Sequence, residues 1–116
     1  MLRTIGNEIR LTRGDTCRLA VEITFDDGSP YTVKNGDVLT FTLKKQLWSR
    51  DAYIRRNADE HGLITLEPEA TSPLPYGNYV YDIELRTASG DTITVIPMSA
   101  FRLTEEITIN GDIAYV

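Results

Sequence analysis

The side chains best suited to catalysis are a single histidine and a single cysteine. His61 lies in the polar stretch DEHGL, and Cys17 begins the alternating run CRLAVEITF. A nucleophile needs a base within hydrogen-bond reach and a group that orients that base. A thiol among leucine and valine side chains is typically an inert small apolar group. We therefore expect no Cys–His dyad, and one histidine with one cysteine is too few ligands for a transition-metal site.

The carboxylates form three adjacent pairs, and adjacent residues of a strand point to opposite faces of the sheet. These pairs are Asp26-Asp27, Asp59-Glu60 and Glu105-Glu106. None follows the alternating pattern of a calcium loop, although a loop-borne calcium site at Asp59 and Glu60 remains an alternative. A glycosidase pair formed across strands is a second alternative that nothing in the sequence favours. No phosphate-binding glycine loop or GxSxG motif is present. We expect a protein that is not an enzyme and binds no cofactor or metal.

The stretch KKQLWSRDAYIRR, residues 44–56, is the strongest candidate for a contact surface. It combines basic and aromatic side chains against one acid, Asp51, and Trp, Tyr and Arg are enriched at protein–protein hot spots. The alternative is a solvated hairpin in which Trp48 caps the core. The candidate partner-contact residues of this stretch are Lys44, Lys45, Trp48, Arg50, Tyr53, Arg55 and Arg56.

Composition and charge describe an ordinary globular chain with an acidic balance. The 116 residues are 41% hydrophobic and 25% charged, with a net charge of −5, which argues against nucleic acid as a partner. The first 58 residues contain ten Lys/Arg and seven Asp/Glu, whereas the last 58 contain two and ten. That asymmetry predicts either a bipolar surface or a fold that interleaves the two halves. With one cysteine no internal disulfide forms, and we expect no signal peptide and no membrane span.

Alternation with a period of two dominates the chain and predicts half-buried strands. The clearest runs are CRLAVEITF, VLTFTLKK and YVYDIELRT, with shorter runs EIRLT, YIRRN, LITLEP and TITVI. The only helical candidate is residues 67–74, which prolines 68 and 73 limit to a single turn. Short strands at this spacing are typical of a β-sandwich or a small barrel. Of these we predict a single all-β domain over residues 1–116, an antiparallel β-sandwich of seven to eight strands.

Gly-Asp pairs mark the turns that precede strands. Glycine accepts positive φ where the chain reverses, and aspartate accepts hydrogen bonds from nearby amides. Residues 13–15 read Arg-Gly-Asp, a tripeptide that some extracellular ligands offer to adhesion receptors. Because the same pair recurs after Asn and Ser, we interpret Gly14 and Asp15 as a structural turn and Arg13 as incidental to it. The four pairs are Gly14-Asp15, Gly36-Asp37, Gly90-Asp91 and Gly111-Asp112.

The segment LPYGNYVYDIEL carries Leu74, Gly77 and Tyr79 in the spacing L-x-x-G-x-Y. This spacing is typical of the tyrosine corner of immunoglobulin-like sandwiches, in which the phenol bonds the backbone just upstream. The Cys…Trp…Cys pattern of true immunoglobulin domains is absent, so only the architecture is predicted.

Several of these motifs in order resemble a known family. TRGDT, DGSPY, GDVLTFTLKK, GLITLEPEAT, LPYGNYVYDIEL, SGDTITV and FRLTEEIT together resemble the immunoglobulin-like module of phage tail and baseplate proteins. The resemblance covers about residues 5–109. Within it the chain is similar to the N-terminal domain of the upper baseplate protein family of phages and prophages of Gram-positive bacteria. It implies a non-enzymatic structural part of the virion, made in the bacterial host cytoplasm, that contacts other tail or baseplate proteins.

Two further hypotheses concern partners. The apolar C-terminal residues 110–116 predict either a strand donated to a neighbour, as in a homo-oligomer, or a last strand folded onto the domain's own sheet. Tyr115 and Val116 are the candidate contact residues of this tail. The alternative function is a carbohydrate-binding module that stacks sugars on Tyr31, Trp48 and Tyr53, which requires these three aromatics to lie together on one face.

Overall fold

The computed structural model describes residues 2–105, with side chains described from Gly6 onward. Over this range the protein is all-β, with eight strands and one short helix. The elements in chain order are β1 Leu2–Ile5, β2 Glu8–Thr12, β3 Cys17–Ala20, β4 Val38–Lys44, β5 Ile54–Asn57, β6 Leu63–Leu66, α1 Pro68–Thr71, β7 Gly77–Arg86 and β8 Thr92–Thr104.

The strands form two sheets that share one hydrophobic cluster. Six strands make the larger sheet in the order β1-β2-β8-β7-β4-β5, and β3 pairs with β6 in the smaller one. Alternate residues of β4 and β7 are buried, as the sequence predicts, because only one face of the larger sheet packs against the core. Cys17, Ile64 and Leu66 of the smaller sheet belong to the same cluster. The buried residues from the larger sheet are Ile9, Leu11, Leu39, Phe41, Leu43, Ile54, Tyr79, Tyr81, Ile83, Leu85, Phe101 and Leu103.

The larger sheet is mixed, so the expectation of a purely antiparallel structure is wrong for one pair. β2 runs parallel to β8, with Ile9 opposite Phe101 and Thr12 opposite Thr104. A parallel pair needs a long crossover connection, and here the rest of the domain, from β3 to β7, supplies it. Alternation could not show this, because a half-buried strand has the same period in either direction.

β3 is shorter than the predicted strand over CRLAVEITF. It ends at Ala20, where its partner β6 begins at Leu63, since β6 has only four residues to offer. Beyond it the chain makes a single bridge between Thr24 and Pro30. Phe25, the last residue of the predicted inward set, is 55% exposed and packs edge-on against Tyr31.

β8 joins two segments that the sequence separates at Pro97. Its pairing with β7 shifts register between the pairs Tyr81–Ser99 and Ile83–Ile96, so Pro97 falls at a bulge. Proline lacks a backbone donor and is tolerated at bulges and on edge strands. The bulge therefore allows one 13-residue strand to span TITVI and FRLT.

The helix and turns follow the sequence signals. α1 is a single turn that begins at Pro68. Gly14, Gly36 and Gly90 all have positive φ, and Asp15 and Asp37 each donate their backbone N–H to a carbonyl three residues earlier. The predicted role of the Gly-Asp pairs as turns is confirmed at these positions, while Gly111-Asp112 lies outside the described residues. No helix among residues 2–105 has the length and apolar composition to span a bilayer.

Candidate protein-contact surface

The loop between β4 and β5, residues 45–53, displays the two most exposed large apolar side chains of the described residues, Trp48 and Leu47, together with the half-exposed Tyr53. Trp48 is 79% exposed, Leu47 64% and Tyr53 51%. The loop is closed by hydrogen bonds from the Ser49 backbone N to the Gln46 oxygen at 3.1 Å and from the Gln46 N to the Ser49 Oγ at 3.2 Å. Trp48 therefore does not cap the core, as one interpretation of the sequence required, but faces solvent.

Tyr79 anchors this loop to the sheet. The ring of Tyr53 packs edge-on against it, with centroids 5.8 Å apart and planes at 79°. Lys45 places its Nζ 4.7 Å from the centre of the Tyr79 ring and also donates to the Asn78 carbonyl oxygen at 3.1 Å. The Tyr79 hydroxyl donates to the Pro75 carbonyl oxygen at 2.5 Å. One buried ring thus joins the loop 45–53 to the segment that leads into β7.

Arg13 extends the same surface on the other side. Its guanidinium lies 4.1 Å from the centre of the Tyr76 ring, and its Nη1 donates to the Leu74 carbonyl oxygen at 3.3 Å. The charge of Arg13 also acts on Tyr79, whose pKa is raised mainly by burial and lowered in part by this arginine. We call the surface formed by these groups the end surface, and its members are Arg13, Lys45, Leu47, Trp48, Arg50, Tyr53 and Tyr76.

The turn at Gly14 and Asp15 holds the end surface to α1. Gly14 has φ +86° and donates its backbone N–H to the Oγ1 of Thr71 at 3.0 Å. Thr71 is fully buried at the end of α1. The Arg13 backbone N donates to the Thr104 oxygen at 3.0 Å. These bonds integrate the Arg-Gly-Asp tripeptide into the fold.

The structure divides the basic stretch of residues 44–56 among three places. Lys45, Trp48, Arg50 and Tyr53 belong to the end loop. Lys44 and Arg55 lie on the outer face of the larger sheet. Arg56 lies on the opposite side of β5, where its Nη2 approaches the Glu67 carboxylate at 3.4 Å. Consecutive strand residues point to opposite faces, so a continuous basic segment cannot stay on one surface once it enters β5. The other predicted contact residues, Tyr115 and Val116, lie outside the described residues.

Charges from the two halves of the sequence meet on the outer face. Lys44 and Arg55, from the basic half, line the same depression as Asp82 and Glu84, from the acidic half. Burial and the neighbouring Glu84 raise the pKa of the Asp82 carboxyl, while Lys44 and Arg55 lower it in part. On this face the fold places basic residues from the first half of the chain beside acidic residues from the second half.

The aromatics required by the carbohydrate hypothesis do not lie together. Trp48 and Tyr53 follow the end of β4, whereas Tyr31 lies near its start, where its hydroxyl donates to Asp37 Oδ2 at 2.5 Å. β4 has seven residues, which separates its two ends by about 20 Å. Tyr31 therefore does not complete a stacking platform with the other two.

The remaining candidates for chemistry are dispersed. Cys17 is fully buried, and desolvation raises the pKa of its thiol to about 11. The His61 side chain is 80% exposed in the turn after β5, beside Glu60 at 3.5 Å. Asp59 uses its Oδ1 to accept the backbone N–H groups of His61 and Leu63, and these bonds lower its pKa. Residues 2–105 contain no group of three or more His, Cys, Asp or Glu that could hold a metal ion.

Sequence reasoning missed three members of the end surface, Arg13, Leu47 and Tyr76, since it interpreted Arg13 as incidental to its turn. Leu47 lies within the candidate stretch but carries no charge or ring that would mark it. Tyr76 precedes the Gly77 of the L-x-x-G-x-Y spacing, and its partner Arg13 is 63 positions away along the chain. No local sequence pattern predicts a contact between two residues so far apart along the chain.

We expect Tyr79→Phe to lower the free energy of unfolding by about 1–2 kcal/mol, because it removes the hydroxyl that bonds the Pro75 carbonyl while keeping the ring. Urea denaturation followed by tryptophan fluorescence measures this change. Tyr53→Phe is the matched control, since the same atom is removed from a half-exposed ring. Equal midpoints for Tyr79→Phe and the wild type would show that this hydrogen bond does not stabilise the segment before β7.

No protein-family model matches the chain, and no match to a curated protein is found.

Proposed function

We propose that the chain is a non-enzymatic structural component of a phage or prophage tail or baseplate, which acts through protein–protein contacts. In this proposal the domain is an immunoglobulin-like β-sandwich whose exposed end binds another tail protein. The resemblance of its turn and strand motifs to baseplate modules supplies the biological context, and the end surface supplies the contact.

The observation that carries the contact role is the exposure of Trp48 and Leu47 on a loop that is itself held in place. An indole that is 79% exposed beside a leucine that is 64% exposed is costly in water unless a partner covers it. Tyr79 and Lys45 fix the start and end of the loop, so little conformational entropy is lost on binding. Aromatic and basic residues held in this way are typical of interface hot spots.

The immunoglobulin-like architecture is supported by Tyr79. Its hydroxyl bonds the backbone four residues upstream, at the entry to a long strand, as a tyrosine corner does. The smaller sheet contributes Cys17, Ile64 and Leu66 to a cluster dominated by the larger sheet, which is the layered packing a sandwich requires. The parallel β2–β8 pair and the two-stranded second sheet are the features in which this chain differs from a plain antiparallel sandwich.

The test begins with the reading frames that flank the gene. Products of flanking tail or baseplate frames are purified, and their affinity for this chain is measured by calorimetry. We expect Trp48→Ala to weaken one such complex about thirtyfold, the effect of losing about 2 kcal/mol at a hot spot. The matched control is Phe25→Ala, which removes another exposed ring, one that is not part of the end surface. Flanking metabolic genes, or unchanged affinity after Trp48→Ala, would contradict the proposal.

A further inference from the structure

Three arginines occupy one level of the larger sheet, on three adjacent strands. In the pairing of β1 with β2, Arg3 lies opposite Arg10, and in the pairing of β2 with β8, Arg10 lies opposite Arg102. Neighbouring strands are about 5 Å apart, so the three positions follow one another across the sheet at that spacing. We call this set of positions, Arg3, Arg10 and Arg102, the arginine row.

Arg10 and Arg102 belong to the outer face of the sheet, away from the core. Successive strand residues point to opposite faces, and the residues on either side of each arginine are buried. Those buried residues are Ile9, Leu11, Phe101 and Leu103. Like charges directly opposite one another on one face of a sheet are destabilising. Folding alone therefore gives no reason to place two arginines side by side.

The neighbouring polar groups neutralise the arginine row only in part. Nη2 of Arg10 lies 3.4 Å from Oε2 of Glu8, and Nε of Arg102 donates to the neutral Oδ1 of Asn78 at 3.0 Å. Within residues 2–105, no other carboxylate forms an ion pair with either guanidinium. Nε of Arg10 is buried and has no hydrogen-bond partner in that range. A single carboxylate is thus present for two guanidiniums.

Other arginines of the outer face have acids beside them. Arg55 and Arg86 line a depression together with Asp82 and Glu84. That depression holds charges of both signs, whereas the arginine row has an excess of positive charge in a chain whose net charge is −5. Complementary potentials steer partners to a surface and select among them. The row therefore favours a partner that carries negative charge at this place.

The arginine row leads to the end surface. Asn78 lies opposite Arg102 on β7, and its carbonyl oxygen accepts a hydrogen bond from Nζ of Lys45, a member of the end surface, at 3.1 Å. From Arg3 to Asn78 the row crosses four adjacent strands, a distance of about 15 Å. About five residues of extended chain span that distance. A protein seated on the end surface therefore has the whole row within reach of a short adjoining segment.

We propose that the arginine row binds an acidic, extended segment of the same partner protein that covers the end surface, an inference that rests on the proposed function. The planar guanidiniums of Arg10 and Arg102 donate to side-chain carboxylates of that segment, whose two oxygens match the guanidinium fork. Alternate residues of an extended segment share one face and are about 7 Å apart, so consecutive carboxylates reach neighbouring arginines.

A carboxylate of a protein fits this place better than a free phosphate. Trp48 and Leu47 are exposed on the adjoining end surface, and only a partner with apolar side chains covers them. The bound carboxylates also remove the repulsion between Arg10 and Arg102. The arrangement that is unfavourable in the free domain is therefore satisfied in the complex.

The first experiment uses a peptide in place of the partner segment. The probe is Glu-Thr-Glu-Thr-Glu-Thr, with Lys-Thr-Lys-Thr-Lys-Thr and inorganic phosphate for comparison, and binding to the full chain is followed by NMR titration at low salt, because salt screens exposed charges. We expect the glutamate peptide to bind. Arg10→Gln with Arg102→Gln should weaken it at least about tenfold, through loss of charged hydrogen bonds.

Two further variants test the assignment to the arginine row. Arg86→Gln is the matched control, since Arg86 is an exposed arginine of the same face outside the row, and it should leave the affinity unchanged. Glu8→Gln should tighten binding about two- to fivefold, because it removes the carboxylate that competes for Arg10.

The melting temperature supplies a readout that a merely structural role would not produce. The glutamate peptide should raise the melting temperature of the wild type, because a ligand of the folded state stabilises it. It should not raise that of Arg102→Gln. Arg102 is exposed, so this single variant keeps the inference testable if the double variant fails to fold. Without peptide, Arg102→Gln should melt no lower than the wild type, since it removes one of two opposed like charges.

Three results would overturn the inference: equal affinity for the glutamate and lysine peptides, unchanged binding after Arg102→Gln, or displacement of the peptide by phosphate at equal concentration. Failure of the proposed function gives a different pattern. Trp48→Ala should weaken the complex with the flanking gene product and leave peptide binding unchanged, whereas Arg102→Gln should weaken both. A complex that is weakened by Trp48→Ala and unaffected by Arg102→Gln would overturn the role of the arginine row and keep that of the end surface.

Discussion

Phe41→Ala should lower the free energy of unfolding by about 3–5 kcal/mol, the cost of deleting a fully buried phenylalanine side chain. Phe41 is 0% exposed at the centre of β4, beside β7, the strand that contributes the most buried residues. Its ring stacks on Tyr81 with centroids 5.4 Å apart and meets the edge of Phe101 at 6.1 Å. The substitution removes both contacts and leaves a cavity that two rigid rings fill poorly. Since domains are stable by about 5–15 kcal/mol, the variant should lie close to the limit of folding.

Guanidinium denaturation monitored by circular dichroism measures the effect, and Phe25→Ala is the matched control. Phe25 is also a phenylalanine that touches a tyrosine ring, but it is 55% exposed and lies outside the buried cluster. Its loss should cost less than about 1 kcal/mol, as surface substitutions usually do. Similar losses at both positions would mean that the core is not centred on β4.

Gly36→Ala should destabilise the protein by about 2–4 kcal/mol, for two reasons that add. Gly36 has φ +94°, where any side chain adds about 1–2 kcal/mol of strain. A Cβ at this position would also lie 2.9 Å from the Cβ of Ala88, closer than carbon atoms approach without displacement. The displaced turn carries the Ala88 backbone N–H, which donates to Asp37 Oδ1 at 3.1 Å. The substitution therefore strains one turn and pushes against another.

Gly90→Ala separates these two causes. Gly90 has φ +97°, nearly the same as Gly36, but a Cβ there meets nothing within 4 Å. When both variants are measured by thermal denaturation, Gly90→Ala should lose only the conformational part, about 1–2 kcal/mol. If the two variants have the same melting temperature, the contact with Ala88 is relieved without cost. The close approach of the two turns would then not contribute to stability. A further comparison, Gly36→Ala with Ala88→Gly, should recover part of the loss.

The sequence predicts best the strands that lie inside the larger sheet, such as β7. In β7 the side chains of Tyr79, Tyr81, Ile83 and Leu85 are buried, because they point to the one face of the larger sheet that packs against the core. The turns were predictable for a local reason, since positive φ at Gly14 and Gly36 depends on the residue itself. The Tyr79 hydrogen bond spans only four residues and could be anticipated from spacing.

Features that depend on distant partners could not be predicted. Alternation continues through Val21 and Ile23, yet β3 stops at Ala20 because β6 offers no longer edge. Alternation states which way a side chain points and says nothing about whether a neighbouring strand exists. The candidate surface shows the same limit, since Trp48 is identifiable by type, whereas the contact of Arg13 with Tyr76 arises only from the closed fold.

The parallel pairing of β2 with β8 has a practical consequence for fusions. Leu2 lies opposite Leu11, which in turn lies opposite Leu103, so the two ends of the described chain are about 10 Å apart. Gly77 is opposite Leu103 as well, which puts both ends at the same pole as the loop that bears Trp48. A bulky group attached close to Leu2 or Leu103 would therefore crowd that pole, whereas the turns at residues 58–62 and 87–91 lie at the opposite one.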